Sequence, residues 1–291
     1  MTIGILYESN EWSVFALRDH IEEMGVPATL INMQKEAERD KLLSCRLIIN
    51  RVFASSVFRG HQKALDQMPT VMGFLKENGI PMINPEEAHY YETSKMRSKE
   101  KLAAQDIPVP ELYGVFLPEM VADIQGIEYP CVVKPDCGGR TNYTFIVRSH
   151  KELCESMADV PEILFIAEEY IWPEYGYITR IEGIGGECKL AVKRSVTETG
   201  LSAYRLGSEY EVYEDLPDKV RDMAIRALYC LGIEAGSLDM IENENGVYII
   251  DVNSVSNVSE DNTEMFNFDL MKETAAYAVK RYGNLFSEEK R

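Results

Sequence analysis

The stretch that most constrains this chain spans residues 237–257 and reads S-L-D-M-I-E-N-E-N-G-V-Y-I-I-D-V-N-S-V-S-N. Two alternating runs, 237–242 and 247–253, flank a connection containing Gly246, a pattern that predicts a β-hairpin. With Glu244, Asn245 and Gly246 as a three-residue loop, a type I turn followed by a left-handed glycine, Asn243 faces Val247 and Asp239 faces Asp251. Asn253 lies two residues on, on the same face as Asp251. Like charges directly opposed on a sheet destabilise it unless something sits between them. A hard cation is one candidate, because Mg²⁺ takes oxygen ligands from one or two carboxylates and from substrate phosphates. An exposed polar hairpin face is the other reading, and the stretch alone does not choose between them.

At 291 residues the chain exceeds the usual single core, so two or three packed subdomains are expected. Apolar residues make up 45% and charged residues 27%, as in ordinary soluble proteins, and no segment approaches a membrane-spanning apolar run. The start, M-T-I-G-I-L-Y-E-S-N-E-W, has neither a basic n-region nor a sustained apolar h-region, so no secretory signal is expected and the cytoplasm follows by default. Cys45, Cys131, Cys137, Cys154, Cys188 and Cys230 show no C-x-x-C spacing, which predicts reduced thiols and no zinc site. A formal net charge of −18 argues against nucleic acid as a partner, since binding a duplex needs a basic face.

Over the first ninety or so residues, β-rich runs (3–7, 28–31, 46–49, 80–83) alternate with helical patterns (11–24, 61–78), which predicts a small parallel α/β sheet covered by helices. A short helix after Pro85 and another over 93–105, stopped by I-P-V-P, place a domain boundary near residue 91. Beyond it the pattern is α+β: strands 131–134, 144–147 and 163–168 with a helix ending near Met157, then two long alternating runs over 175–196 joined at Gly185-Gly186. A helix over 216–231, the hairpin, and one amphipathic helix over 264–282 complete the chain. This gives an N-terminal domain, 1–91, and a second domain, 92–291, with a smaller subdomain at about 106–170.

Several residues could carry chemistry. Lys134 ends a strand just before the Gly138-Gly139 loop, where backbone N–H groups and an ammonium could hold a phosphate; exposed surface lysine is the plainer reading, as it is for Lys95. The run A-E-E-Y-I-W-P-E, 167–174, could offer its backbone to an adenine edge and a carboxylate to a ribose, or be an ordinary strand exit. In I-N-R-V-F-A-S-S-V-F-R-G-H-Q, residues 49–62, Arg51, Ser55, Ser56, Arg59 and His61 follow a strand's C-terminal end, where ligands of open parallel sheets bind. Their arginine forks suit carboxylates, although loop capping or subunit contact accounts for them equally well.

In sequence order, S-K-M-R-S-K-E-K-L-A-A-Q-D-I-P-V-P, C-V-V-K-P, I-A-E-E-Y-I, Y-I-T-R with A-V-K-R, and L-D-M-I with I-I-D-V-N resemble the ATP-grasp superfamily. The likeness is greatest to its glutathione-synthetase-like ligases and ribosomal-protein glutamate ligases. It implies an ATP-grasp fold (α/β and α+β) behind an N-terminal pre-ATP-grasp domain. By this resemblance Lys95 and Lys134 would touch ATP phosphates, the backbone of Glu169, Tyr170 and Ile171 would read adenine, and Glu174 would hold the ribose. Arg180 and Arg194 would stabilise the transferring group, while Asp239, Asp251 and Asn253 would bind two Mg²⁺, with Mn²⁺ as a substitute. Arg51, Arg59 and His61 remain the candidates for a substrate carboxylate. Two departures stand out: the loop C-G-G-R-T-N-Y carries fewer glycines than relatives do, and Asp251 stands where Glu is usual.

The activity implied is ATP-dependent, ADP-forming ligation of a small carboxylate to an amine, amino acids among them, through an acyl phosphate. A small-molecule kinase and a nucleotide-binding module without turnover are the alternatives. No membrane partner is expected, and peptide substrates and a homo-oligomer are left open. Arg180 and Arg194 are candidates for facing each other across the Gly185-Gly186 hairpin, where a bound anion would relieve their repulsion.

Overall fold

The structure, a computed structural model, describes residues 1–203, 206–256 and 258–288. Its first sheet is parallel, in the order β2-β1-β3-β4, from β1 (Thr2–Tyr7), β2 (Ala28–Asn32), β3 (Cys45–Arg51) and β4 (Met82–Ile83). Helix α1 (Trp12–Glu23) places Val14, Leu17 and Ile21 at helical spacing, and all three bury against Ile3, Ile5, Leu47 and Ile49 of the sheet. Helices α2 (Arg39–Ser44) and α3 (Gln62–Glu77) cover the other face through Leu42, Leu65, Met68 and Met72. Two helices, α4 (Glu86–Glu92) and α5 (Lys95–Ala103), then lead out of this unit. Ser94 caps α5, accepting the Arg97 N–H at 3.2 Å, and so fixes where Lys95 begins the helix.

The second sheet is antiparallel, in the order β5-β8-β6-β7, from β5 (Leu112–Phe116), β6 (Cys131–Pro135), β7 (Phe145–Val147) and β8 (Phe165–Glu169), with α6 (His150–Met157) between the last two. The third has the order β11-β10-β9-β12-β13, from β9 (Tyr177–Ile184), β10 (Glu187–Ser195), β11 (Tyr210–Val212), β12 (Ala235–Asn243) and β13 (Gly246–Asn253). One face of this sheet packs on α7 (Asp218–Cys230) and α5 through Leu238, Met240, Ala224 and Leu102. The opposite face carries the polar side chains described below.

Three sequence expectations change. The C-terminal helix is two helices, α8 (Glu260–Phe266) and α9 (Leu270–Glu288), because Asn267 turns left-handed at φ 47° and ends the first. Helix α9 packs against the N-terminal sheet, where Leu270, Met271, Ala275 and Ala278 share a core with Ile3 and Leu17. Strands β5 and β11 were not expected: Gly114 interrupts the first, and the second has only three residues.

His89 on α4 is buried, and burial, with Arg97 nearby, lowers its pKa from the ordinary 6.5 to about 4. The unfolded chain therefore binds a proton near pH 6.5 that the folded chain takes up only near pH 4. The contribution of His89 to stability is present above pH 6.5 and is lost as the pH falls from 6.5 toward 4. Denaturant unfolding of His89→Leu should show a shallower loss across that window than wild type, by up to about 3 kcal/mol at its acid end. Parallel pH profiles for the two proteins would contradict a neutral buried imidazole.

Candidate active site

A cavity of about 500 Å³ opens between the three sheets, in the range usual for ligand pockets. Its floor is the free face of the third sheet, and the period of two along each strand explains the lining: Ile178, Arg180 and Glu182 from β9, Val192 and Arg194 from β10, Asp239 and Ile241 from β12, Asp251 and Asn253 from β13. Lys134, Glu168, Glu169, Tyr170 and Ile171 line it from the second sheet, Lys95 from α5, and residues 138–142 from the glycine loop.

Asp239 lies opposite Asp251, as expected, but by a different route. Asn243 pairs with Gly246, so only Glu244 and Asn245 form the turn, and Asn243 Oδ1 accepts the N–H groups of Asn245 and Gly246 at 3.0 and 3.1 Å. A bulge at Ile250 then restores the register, since Met240 pairs with Ile249 while Asp239 pairs with Asp251. The bulge has a consequence for the site. The Ile250 carbonyl accepts from Lys134 Nζ at 2.9 Å and Lys99 Nζ at 3.3 Å.

Those two lysines also share one carboxylate. Glu168, 2% exposed, meets Lys134 Nζ at 2.8 Å through Oε1 and Lys99 Nζ at 3.1 Å through Oε2. Burial lowers the Lys99 pKa to about 8, with Glu168 offsetting only part of the effect. Sequence reasoning missed both Lys99 and Glu168. Lys99 was accessible in principle, being four residues after Lys95 and so on the same helix face. Glu168 was not, because β8 is buried on both faces and alternation marks no inward side.

Lys95 reaches the Gly138 carbonyl at 3.0 Å and Asp251 Oδ1 at 3.1 Å. Burial alone would lower its pKa, but Asp251, together with Glu92 and Cys137, prevails and raises it. For Asp251 burial acts upward, and Lys95 and then Lys134 overcome it and hold the carboxyl below its usual range. The loop is docked on the N-terminal unit: Gly138, at φ 148°, lies where a Cβ would meet Phe58 at 2.4 Å, and Arg140 pairs with Glu11.

Arg180 and Arg194 do not face one another. Arg180 pairs with Val192 and Arg194 with Ile178, so the two lie diagonally on one face. Both reach Asp239 Oδ1, Arg180 at 3.3 Å and Arg194 at 2.8 Å, so a protein carboxylate occupies the position expected of a bound anion. Arg180 also meets Glu182 at 2.7 Å; burial would lower its pKa, but Glu182 and Asp239 prevail and raise it.

Arg51, Arg59 and His61 do not line the cavity. Arg51 donates to Ser13 Oγ at 2.8 Å and the Ser256 carbonyl at 3.1 Å, and burial lowers its pKa to about 10. Arg59 holds Glu11 at 2.7 Å and also pairs with the fully buried Glu8, which takes His61 on its other oxygen. These residues join the N-terminal sheet to its neighbours; of that stretch, Ser55 is at the cavity wall and Ser56 is buried. Glu174, expected at a ribose, is exposed and accepts the Glu244 N–H at 3.0 Å at the hairpin tip, outside the cavity lining.

The donor set suits a hard cation. Asp239 and Asp251 are adjacent across two strands, Asn253 follows on the same face, and all three offer oxygen. Gly236 leaves room for this strand end, since a Cβ there would meet the Asn253 carbonyl oxygen at 2.4 Å. Among the described residues no cluster of three or more His, Cys, Asp and Glu could hold a metal, so oxygens from a bound phosphate would have to complete the shell.

Residues 93–255, more than half of the chain, match the family model of the ATP-grasp domain. The chain belongs to the ATP-grasp superfamily. A D-alanine–D-alanine ligase of Pediococcus pentosaceus is 26% identical over 174 residues, 55% of this chain and 48% of that protein. β-Citrylglutamate synthase B of Danio rerio is 21% identical over 188 residues, covering 62% and 46%. The chain thus spans about half the length of these curated relatives. The solved ATP-grasp ligase PsnB, in complex with a minimal precursor, Mg and ADP, superposes with a TM-score of 0.68 over 97% of this chain and 98% of that one, at 14% identity. The ATP-grasp fold is therefore shared, with an α/β unit before it. Among the described residues no helix is long and apolar enough to cross a membrane.

Proposed function

We propose that this ATP-grasp chain is an ATP-dependent, ADP-forming carboxylate–amine ligase. The observation that carries the reading is the single cleft face on which Arg180 and Arg194 converge on Asp239, with Asp251 and Asn253 beside them and Lys95 and Lys134 above. Lys95, Lys134 and the loop at 138–142 bind the phosphates, and the strand exit at Glu169, Tyr170 and Ile171 borders the base. Asp239, Asp251 and Asn253 hold Mg²⁺, which when bound neutralises phosphate charge. That the relatives named above are a D-alanine–D-alanine ligase and a β-citrylglutamate synthase supports the reaction class.

In this reading a substrate carboxylate oxygen attacks the γ-phosphorus, the bond to the β–γ bridging oxygen breaks, and ADP leaves. The amine nitrogen then attacks the acyl carbon, the acyl C–O bond breaks, and phosphate leaves with the oxygen that came from the acid. Arg180 and Arg194 stabilise charge on the transferring group, so no protein nucleophile is needed. The experiment is a screen of acids for ADP release that depends on added amine, with hydroxylamine as the trap. Amine-dependent ADP release and hydroxamate are expected. A stable phosphate ester as sole product would indicate a kinase, and ATP binding without turnover with any acid would indicate a non-catalytic module.

A further inference from the structure

The two lysines that share Glu168 are not equivalent. Lys134 lines the cavity, whereas Lys99 lies behind it, 5% exposed and outside the cavity lining. Other cations of the cleft floor have carboxylates in equal number: Lys95 meets Asp251, while Arg180 and Arg194 meet Glu182 and Asp239. Glu168 instead stands 2.8 Å from Lys134 Nζ and 3.1 Å from Lys99 Nζ, so two ammonium groups face one carboxylate. Asp251, whose field also reaches both lysines, has Lys95 as its ion-pair partner at 3.1 Å. Burial brings the Lys99 pKa only to about 8, so the group still holds its proton at pH 7. The group of Lys99, Glu168 and Lys134 therefore carries one positive charge in excess. Without Lys99, Glu168 would cancel Lys134 one to one.

As a mere strut between α5, β8 and β13 a lysine is a poor choice, because burying an ammonium is costly and an apolar side chain of similar length fills the same space. What the ammonium adds is charge, together with a second hold on the bulge of β13: Lys99 donates to the Ile250 carbonyl at 3.3 Å, beside Lys134 at 2.9 Å.

We infer that Lys99 is a positioning residue for the phosphate subsite: it satisfies Glu168 from behind, so that the charge of Lys134 is left for a nucleotide phosphate that Lys99 itself does not touch. The inference rests on the reading that Lys134 faces phosphate, and its test reads nucleotide binding separately from ligation.

The test is calorimetry of ADP with Mg²⁺ at pH 7 on wild type, Lys99→Met, Lys99→Gln and the double variant Lys99→Met/Glu168→Gln, with urea unfolding to establish that each is folded. Lys99→Met leaves Glu168 to Lys134 alone, and ADP affinity should fall by about tenfold. Lys99→Gln, which keeps a polar group near the Ile250 carbonyl but no charge, should lose affinity in the same way. In the double variant the neutral amide keeps an oxygen for Lys134 and cancels none of its charge, so affinity should return to within about threefold of wild type. A loss caused by damaged packing would not be repaired by this second substitution, which alters a further buried contact. No ADP binding by wild type, unchanged affinity in both single variants, or a double variant that binds no better than Lys99→Met overturns the inference. The expected binding pattern in a protein that yields no hydroxamate with any acid would leave the charge balance standing and remove the ligase reading instead.

Discussion

Asp239→Asn should lower turnover by about 100- to 1,000-fold while leaving a folded protein. The carboxylate has two tasks that an amide cannot perform. It neutralises the Arg180 and Arg194 guanidiniums, at 3.3 and 2.8 Å, and it faces Asp251 as part of the oxygen set suited to a divalent cation. The amide keeps the shape, and Glu182 still holds Arg180 at 2.7 Å. Arg194 loses its charged partner, so stability should fall by only about 2 kcal/mol, the order of one charged hydrogen bond. Steady-state rates at saturating ATP and Mg²⁺, taken alongside thermal unfolding, separate the two effects. Full turnover in the variant would remove Asp239 from the reacting centre.

Glu168→Ala should cost about 3–5 kcal/mol of stability and weaken ATP binding. Glu168 is the carboxylate shared by Lys99 and Lys134, and its removal leaves two buried ammonium groups with the Ile250 carbonyl between them. Breaking a buried pair from one side is costly because the other charge remains desolvated. Glu168→Gln should be milder, since the amide oxygen can still accept from one lysine. Urea unfolding measures the stability change, and nucleotide titration measures the second effect. Wild-type stability in Glu168→Ala would mean that the lysines find other partners.

The parts of this molecule legible in the sequence were those governed by local pattern. Val14, Leu17 and Ile21 marked α1, and Gly185-Gly186, both at positive φ, marked the β9–β10 turn. The facing of Asp239 and Asp251 was read correctly from a turn that was not. A one-residue error at the loop was cancelled by the bulge at Ile250, which alternation cannot reveal because Ile249 and Ile250 are both apolar and nothing in the sequence marks which is the extra residue. The fates of Arg51, Arg59 and His61 were equally hidden, since they depend on Ser256, Glu11 and Glu8, partners distant in sequence. Strand-end position marks where ligands bind in parallel sheets, but it does not tell whether the protein's own carboxylates arrive first.

The most direct test of the ligase account follows one oxygen. An acid that supports turnover, labelled with ¹⁸O in its carboxyl group, is incubated with ATP, Mg²⁺ and amine, and the released phosphate is analysed by mass. The account predicts that one carboxyl oxygen is transferred to each phosphate released, because the acyl C–O bond breaks after the O–P bond has formed. Amide formation with unlabelled phosphate would contradict it.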